Sequence, residues 1–277
     1  MNTTEIAILF PAFVAGVIVL STHVPLGTEV LRRGIIFIDI AIAQVAGLGV
    51  IAADRLGFEQ SDWMLQVSAV SAALLVSFIL NWTNRRWPDV QEALIGICFV
   101  MAAAAGILLL AGNPHGGENL RELLVGQILW VTYSQLLPVT LVSAVILGFW
   151  FRFRDRMSGL PFYVLFAFSV TMSVQLVGIY LVFASLIIPA LATLRIERRF
   201  FRLGCGYLLG GIGFALGLVL SAWFDLPSGA VIVWTLAAVA IVFRWINSWV
   251  LRGAGRRTGE IVTANVPAKG SAETWRN

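Results

Sequence analysis

Long apolar runs dominate this chain and decide what it can fold into. Segments of about 20 apolar residues, the length that crosses a ~30 Å hydrocarbon core as a helix, recur along the sequence. Hydrophobic residues make up 59% of the 277 residues and charged residues only 12%, well below the charged share of a soluble domain. Because open sheet edges cannot be satisfied in lipid, the runs predict helices. We expect an all-α, polytopic membrane helical bundle.

About nine transmembrane helices are predicted from these runs. The stretch 160–194 is too long for one span and short for two, so we expect a tight hairpin near Gln175–Gly178. Residues 1–252 form the predicted transmembrane domain, and 253–277, poor in large apolar residues, a disordered cytoplasmic tail. The predicted spans are 5–22, 34–53, 64–82, 93–111, 135–151, 160–176, 177–194, 203–223 and 229–250.

The basic residues predict how the bundle is oriented. With the arginine-bearing loops after the first, third, fifth and seventh spans and the C-terminal tail in the cytoplasm, only Arg55 and Arg121 remain outside. Cytoplasmic loops carry an excess of Lys and Arg, so this asymmetry puts the N-terminus outside and the C-terminus inside. The same placement explains the net charge of +4 without nucleic-acid binding.

Several kinds of chemistry are not indicated by the sequence. It contains no phosphate-binding loop of the Gly-x-x-x-x-Gly-Lys-Ser/Thr type, so ATP hydrolysis is expected in a separate chain. The two histidines, His23 and His115, do not assemble a Ser/His/Asp set. The two cysteines, Cys98 and Cys205, lie in apolar segments and indicate neither a disulfide framework nor a zinc site. We expect no cofactor and no enzymatic activity.

Asp39 is an acidic residue within the apolar segment from Gly34 to Ala53, with no charged neighbour in reach along its helix. A carboxylate inside a span costs ~2.5–3.5 kcal/mol on insertion scales. A chain that keeps such a group commonly uses it on a solute path or in a proton relay. The other reading is a protonated or hydrogen-bonded structural residue. We predict a place on the translocation path for Asp39.

Two further patterns indicate helix packing. The eighth span carries Gly206, Gly210, Gly213 and Gly217, a small-residue face that permits close approach of helices within one subunit or between subunits. The outer stretch 120–131 repeats leucine and isoleucine at helical spacing and is amphipathic. It either docks a partner at the outer surface or packs against the bundle.

The end of the seventh span combines a bend, small residues and positive charge. Pro189 removes a helical hydrogen bond and forces a bend, and a basic turn follows at the inner face. We predict that this segment is a socket for a cytosolic protein, the other reading being an ordinary positive-inside loop. The residues assigned to it are Pro189, Ala190, Thr193, Arg195, Arg198 and Arg199.

Five motifs in order resemble the membrane permeases of zinc/manganese/iron-type ABC importers, over nearly the whole chain up to about residue 250. The motifs are Pro25-Leu-Gly27 with Arg32-Arg33, Asp39 and Gly49; Glu92-Ala-Leu-Ile-Gly96; Leu124-Val-Gly126-Gln-Ile-Leu-Trp-Val-Thr132; Val177-Gly178 with Leu186-Ile-Ile-Pro189-Ala; and Asp225-Leu-Pro-Ser-Gly229. The resemblance implies a type II importer-like permease in a bacterial inner membrane. It implies a homodimer embedded in membrane lipid, a cytosolic ABC ATPase docked after Pro189, and an extracytoplasmic substrate-binding protein.

The chain departs from the family pattern at its metal-associated positions. The family's second-span pair, an Asp followed four residues later by a His, falls here on Ile40 and Gln44, and Asp39 comes one position early. On a helix Asp39 and Gln44 lie about 140° apart, against about 40° for an i,i+4 pair. Many relatives carry a His in the fourth span, at the position that Val100 occupies in this chain. The Asp that often follows the Gly of the middle motif is replaced here by Gln127.

The first hypothesis for function is therefore the permease subunit of an ABC importer for a divalent metal, working by alternating access. Asp39 and Gln44 are assigned to its path, and Asp39 is the metal-attracting residue of the hypothesis. A second is a secondary transporter in which Asp39 takes and releases a proton. A third, a membrane enzyme or scaffold, lacks a catalytic constellation. Dependence of uptake on an ATPase or on a proton gradient separates the first two.

Overall fold

The computed structural model describes residues 3–58, 62–111, 116–153 and 159–264, and every regular element in these ranges is a helix. Eight of the described helices are long and apolar enough to cross a membrane, and α8 is a shorter apolar helix, which confirms the predicted membrane bundle. The helices are α1 Thr3–Arg33, α2 Ile38–Ala53, α3 Asp62–Arg86, α4 Gln91–Leu110, α5 Gly116–Val125, α6 Tyr133–Phe153, α7 Leu160–Val177, α8 Ile179–Ala192, α9 Arg199–Phe224 and α10 Ser228–Ala264.

The first helix runs further than its predicted span, straight through Pro25. A proline in a helix leaves the carbonyl four residues earlier without its N–H partner, here that of Ser21. The hydroxyl of Tyr207 on α9 donates to the Ser21 carbonyl oxygen at 2.9 Å. Because a neighbouring helix satisfies the freed carbonyl, α1 continues to Arg33 instead of ending near residue 22.

The predicted hairpin is present, with Gly178 as its turn. α7 ends at Val177, α8 begins at Ile179, and Gly178 between them has a φ of +79°. α7 starts beside the end of α3, where Arg85 lies next to Gly159, and α8 ends beside the end of α1, where Ala190 lies next to Gly27. The start of α7 and the end of α8 therefore both lie on the side of the bundle that carries the arginine-bearing loops. This side is called the inner end below.

The glycine face of α9 serves packing within one subunit. Gly206 and Gly210 lie against Val24 and Leu20 of α1. Further along, Gly213 and Gly217 lie against Leu236 and Ile232 of α10, and the Thr235 hydroxyl donates to the Gly213 carbonyl oxygen at 2.7 Å. Side chains at these glycines would collide with the neighbouring helices, so the face fixes α9 between α1 and α10.

A buried ion pair closes the inner end of α1. Glu29, 3% exposed, accepts hydrogen bonds from both Arg32 and Arg33. The Arg33 guanidinium also lies 3.9 Å from the centre of the Phe162 ring, at the start of α7. A buried carboxylate bound by two arginines at the membrane boundary holds α1 and α7 together where the chain turns into α2.

The chain divides into two compact units, Met1–Ala240 and Ile241–Asn277. The first unit contains α1 to α9 and the start of α10; within the second, α10 continues to Ala264. Residues 265–277 of the predicted tail lie outside the described residues, and the disorder of 253–277 stays a prediction.

Candidate functional site

Asp39 lies in the first turn of α2, near the inner end of its span, and is fully buried. No hydrogen bond of normal geometry reaches either carboxylate oxygen, although the backbone N–H groups of Asp39 and Ile40 act on the carboxylate electrostatically. The free N–H groups of a first helical turn carry partial positive charge, which favours an anion by ~0.3–1 kcal/mol. This offsets only part of the ~2.5–3.5 kcal/mol insertion cost, so burial of the Asp39 carboxylate still has a net free-energy cost.

Glu92 is the nearest acidic side chain, and reading the sequence along one helix missed it. It begins α4, and its Oε1 accepts the backbone N–H of Phe37 at 3.2 Å, two residues before Asp39. The Oε2 atom of Glu92 has no hydrogen-bond partner, and the Glu92 carboxylate is close enough to interact electrostatically with Asp39. The signal that could have found it is the motif Glu92-Ala-Leu-Ile-Gly96, in which the acid opens an apolar helix.

Gln44 is also buried, five residues further along α2. α2 packs against α3, α4, α7 and α8. Since α2 is a continuous helix from Ile38 to Ala53, Asp39 and Gln44 remain about 140° apart and face different neighbours. Among the described residues no group of three or more His, Cys, Asp or Glu side chains is placed to hold a metal ion.

His23 lies inside the bundle, where the sequence suggested a span end. It is fully buried on α1, and its Nδ1 lies 2.8 Å from the Val19 carbonyl oxygen and 3.2 Å from the Thr22 hydroxyl. Ser169 of α7 donates to that hydroxyl at 3.0 Å. Its Nε2 has no partner. These contacts link α1 to α7 through buried polar groups, which the isolated histidine in the sequence did not indicate.

The predicted socket residues come together at the inner end. Pro189 and Ala190 are buried in the last turns of α8, and Thr193 caps the helix by donating its hydroxyl to the Pro189 carbonyl oxygen at 2.8 Å. The Ile196 N–H then bonds the Thr193 carbonyl oxygen at 3.0 Å, so the chain reverses within a few residues. α9 starts at Arg199.

We call residues 191–201 the α8–α9 turn. It is exposed, with Arg195 and Arg198 open to solvent and Arg199 half-buried. Four large apolar side chains are exposed beside the arginines: Leu191, Leu194, Phe200 and Phe201. Exposed aromatic and arginine side chains in one patch are the composition of protein–protein contact surfaces.

A second polar feature lies at the outer end. α5 packs against α4, α7 and α8 and ends at Val125, and the next residue, Gly126, has a φ of +72° that stops the predicted amphipathic helix before residue 131. Gly126 sits directly against the backbone of Val177 and Gly178, with no room for a Cβ. Beside this contact is a cavity of about 520 Å³ with a mixed lining, in which apolar residues such as Leu129 and Trp130 adjoin the polar side chains of Glu118, Arg121 and Gln127.

Comparison with known sequences gives a consistent family assignment. The model of the ABC 3 transport family matches residues 5–162 and 153–247. The manganese transport system membrane protein MntC of Halalkalibacterium halodurans is 27% identical over 241 residues, covering 79% of this chain and 81% of that protein. The high-affinity zinc uptake system membrane protein ZnuB of Haemophilus influenzae is 24% identical over 254 residues, covering 82% and 92%.

Two solved structures share the fold. PsaBC from Streptococcus pneumoniae in complex with Fab has a TM-score of 0.71 at 22% identity and covers 88% of this chain and 95% of that chain. An inward-facing conformation of a putative metal-chelate type ABC transporter has a TM-score of 0.60 at 18% identity, covering 85% of each. With the apolar helices, these matches identify a multi-pass protein of the bacterial inner membrane.

Proposed function

Because the chain belongs to the ABC 3 transport family, we propose that it is the membrane permease of an importer that carries a divalent metal ion, zinc, manganese or iron, into the cytoplasm. The observation that carries the proposal is the match of one transport family to residues spanning almost the entire described bundle. The curated relatives MntC and ZnuB, named for manganese and zinc, support the metal as cargo.

The energy source in this proposal is a separate cytosolic ATPase that docks on the α8–α9 turn. Supporting features are the exposed patch of Phe200, Phe201 and two arginines, and the short rigid link between α8 and α9. Since Pro189 and Thr193 tie the turn to α8, and Gly27 of α1 packs closely on α8, a push on the turn moves a packed helix. ATP-driven closure of the motor is thereby converted into helix movement.

The cargo in this proposal passes between two copies of the chain that open alternately outward and inward. A substrate-binding protein delivers the ion at the outer end, where α5 and the cavity beside Gly126 present charged side chains. Asp39 is the residue of the path that attracts the cation, and Gln44 offers a neutral oxygen further along α2. Asp39 is enclosed within one subunit in this conformation, so its contact with cargo requires the helices around α2 to move.

A second candidate function is favoured by one observation, the buried carboxylate of Asp39, which receives no hydrogen bond of normal geometry. A buried acid of this kind suits a proton-coupled secondary transporter, in which it takes up and releases a proton during each cycle. In that case no ATPase is needed.

Uptake measurements separate the two functions. The chain is expressed in a host that lacks its own metal importers, with or without the ATPase and binding protein of its transport system, and the entry of radioactive zinc, manganese or iron is followed. The importer requires both partners and is unaffected by a protonophore over short times. Uptake by the chain alone that a protonophore abolishes would replace the importer by the secondary transporter.

A further inference from the structure

A groove on the membrane-facing surface between α6 and α7 has no role in the proposed transport function. Its volume is about 660 Å³, within the ~300–1,000 Å³ range of small-molecule pockets. Five side chains of α6, from Leu141 to Phe149, and five of α7, from Leu160 to Phe168, line it, and all are apolar. The groove therefore has no feature for a polar solute and accepts a hydrocarbon.

The depth of the groove matches one leaflet of the bilayer. On each helix the lining residues extend over eight steps, which is about 12 Å at ~1.5 Å per residue. The groove starts at the first residue of α7 and about 6 Å above the inner end of α6, at Phe153. Half of a ~30 Å hydrocarbon core is ~15 Å, so the groove lies within the inner leaflet.

Two arginines lie near residues at the inner ends of the two helices that line this groove. Phe149, which lines it, packs on Phe153 with ring centres 4.8 Å apart, and the Arg152 guanidinium lies 5.2 Å from the centre of the Phe153 ring. On the α7 side, the Arg85 guanidinium lies next to Gly159, the residue before Leu160. Positive charge is therefore present near the inner ends of both α6 and α7, the end of the bundle at which an inner-leaflet headgroup lies.

From this combination we propose that the α6–α7 groove binds one anionic phospholipid of the inner leaflet, with an acyl chain in the groove and the phosphate between Arg152 and Arg85. Arginines on the cytoplasmic side of a membrane bundle recognise anionic headgroups by charge and by forked hydrogen bonding to phosphate. Since the acyl chain exchanges with the hydrocarbon of the bilayer and not with water, preference among lipids depends on the fit of the chain and on the charge of the headgroup.

A second copy of the chain fits this face less well. A two-fold axis along the membrane normal brings residues of equal depth together from both copies. Arg152 and Arg85 would then meet the same two arginines of the other copy, and like charges repel in a low-dielectric setting. A lipid phosphate instead neutralises both.

Native mass spectrometry of the purified full-length chain tests the proposal. The chain is stripped of lipid in mild detergent and incubated with phosphatidylglycerol or with phosphatidylcholine of identical acyl chains. We expect one phosphatidylglycerol to be retained per chain, at least about tenfold better than phosphatidylcholine, which corresponds to ~1.4 kcal/mol. Equal retention of the two lipids contradicts the proposal.

Matched variants locate the bound lipid. Val145→Trp fills the groove from a position that is 68% exposed, and Val100→Trp makes the same change on α4 at a position that is 61% exposed. Arg85→Gln and Arg152→Gln remove the positive charges near the inner ends of α6 and α7, and Arg86→Gln removes a charge whose guanidinium lies instead over Trp87. Only Val145→Trp, Arg85→Gln and Arg152→Gln should lose phosphatidylglycerol, with helix content unchanged in all five.

A disulfide test separates the lipid from a second copy. If Val145→Cys forms an efficient copy-to-copy disulfide in native membranes, the groove is a subunit interface and the proposal falls. If the chain proves not to transport metal, the lipid proposal is still tested, because lipid retention is measured on the isolated chain.

Discussion

The start of α2 and the α8–α9 turn, the two regions to which the proposed function assigns charged residues, differ in how that charge is exposed. At α2, Asp39 is fully enclosed and its carboxylate oxygens have no hydrogen-bond partner. At the turn, Arg195 and Arg198 are open to solvent beside exposed phenylalanines. The carboxylate of Asp39 is enclosed and lacks a hydrogen bond of normal geometry, whereas the arginines of the turn are exposed.

This difference indicates the order of events in the proposed cycle. If the α8–α9 turn is the docking surface, it is already exposed without the partner, so docking needs little rearrangement. The Asp39 carboxylate in α2 is inaccessible until neighbouring helices move. Contact between Asp39 and the cargo therefore requires those helices to move first.

The largest effect is expected from reversing the charge of the α8–α9 turn. The double substitution Arg195→Glu with Arg198→Glu should weaken co-purification of the ATPase by more than about tenfold and abolish uptake, because like-charge juxtaposition at an interface costs several kcal/mol. Pull-down and uptake are measured on the same preparations. The control is Arg195→Lys with Arg198→Lys, which keeps the charge and should retain most binding. Normal ATPase binding by the Glu variant would show that the turn is not the docking surface.

The next largest effect concerns how α8 is held. A Cβ at Gly27 would collide with the backbone carbonyl of Leu186 on α8, whereas a Cβ at Gly204 meets no atom within 4 Å. Gly27→Ala should therefore destabilise the chain by ~1–3 kcal/mol through overpacking, and Gly204→Ala should not. Thermal melting in detergent gives the stability, and ATPase pull-down tells whether the turn moves with α8. Equal melting temperatures for both variants would mean that α1 and α8 do not pack this closely.

A gain of metal binding is expected from restoring the family register on α2. Ile40→Asp with Gln44→His places two ligands about 40° apart, and should bind zinc about tenfold more tightly than the unchanged chain, a gain of ~1.4 kcal/mol. Gln44→His alone pairs with Asp39 across about 140° and should give no gain. Isothermal titration with zinc compares them. Tighter binding by the single variant would contradict the geometry of α2 described above.

The smallest effect is expected from neutralising Asp39. Asp39→Asn should lower uptake at limiting metal about fivefold, the effect of losing an interaction of ~1 kcal/mol between unit charges. Folding should be retained, since the amide has the shape of the carboxylate and is cheaper to bury. Asp89→Asn, at an exposed position near the inner end, is the control. Unchanged uptake by Asp39→Asn would remove Asp39 from the path.

Much of the fold was predictable because lipid imposes simple rules. Apolar length predicted the helices, and the overlong stretch 160–194 predicted a hairpin that the structure places at Gly178. The predicted end of the first span was wrong, because the helix continues through Pro25. The sequence does not show that the Tyr207 hydroxyl from α9 reaches the Ser21 carbonyl oxygen, which Pro25 leaves without its helical partner. For the candidate site, the functional roles of Asp39 and the arginines stay predictions, and the approach of Glu92 to α2 and the burial of His23 were missed.

The sequence by itself determined that the chain is a membrane bundle, which turns carry its positive charge, and which family pattern it follows. These properties depend on the local balance between apolar length and charge, which each segment carries alone. Only the tertiary structure decided that the α9 glycines pack within one subunit, that Glu92 approaches the start of α2, and that Asp39 is closed off. Those depend on contacts between distant segments, and no periodicity along one helix encodes which neighbour it meets.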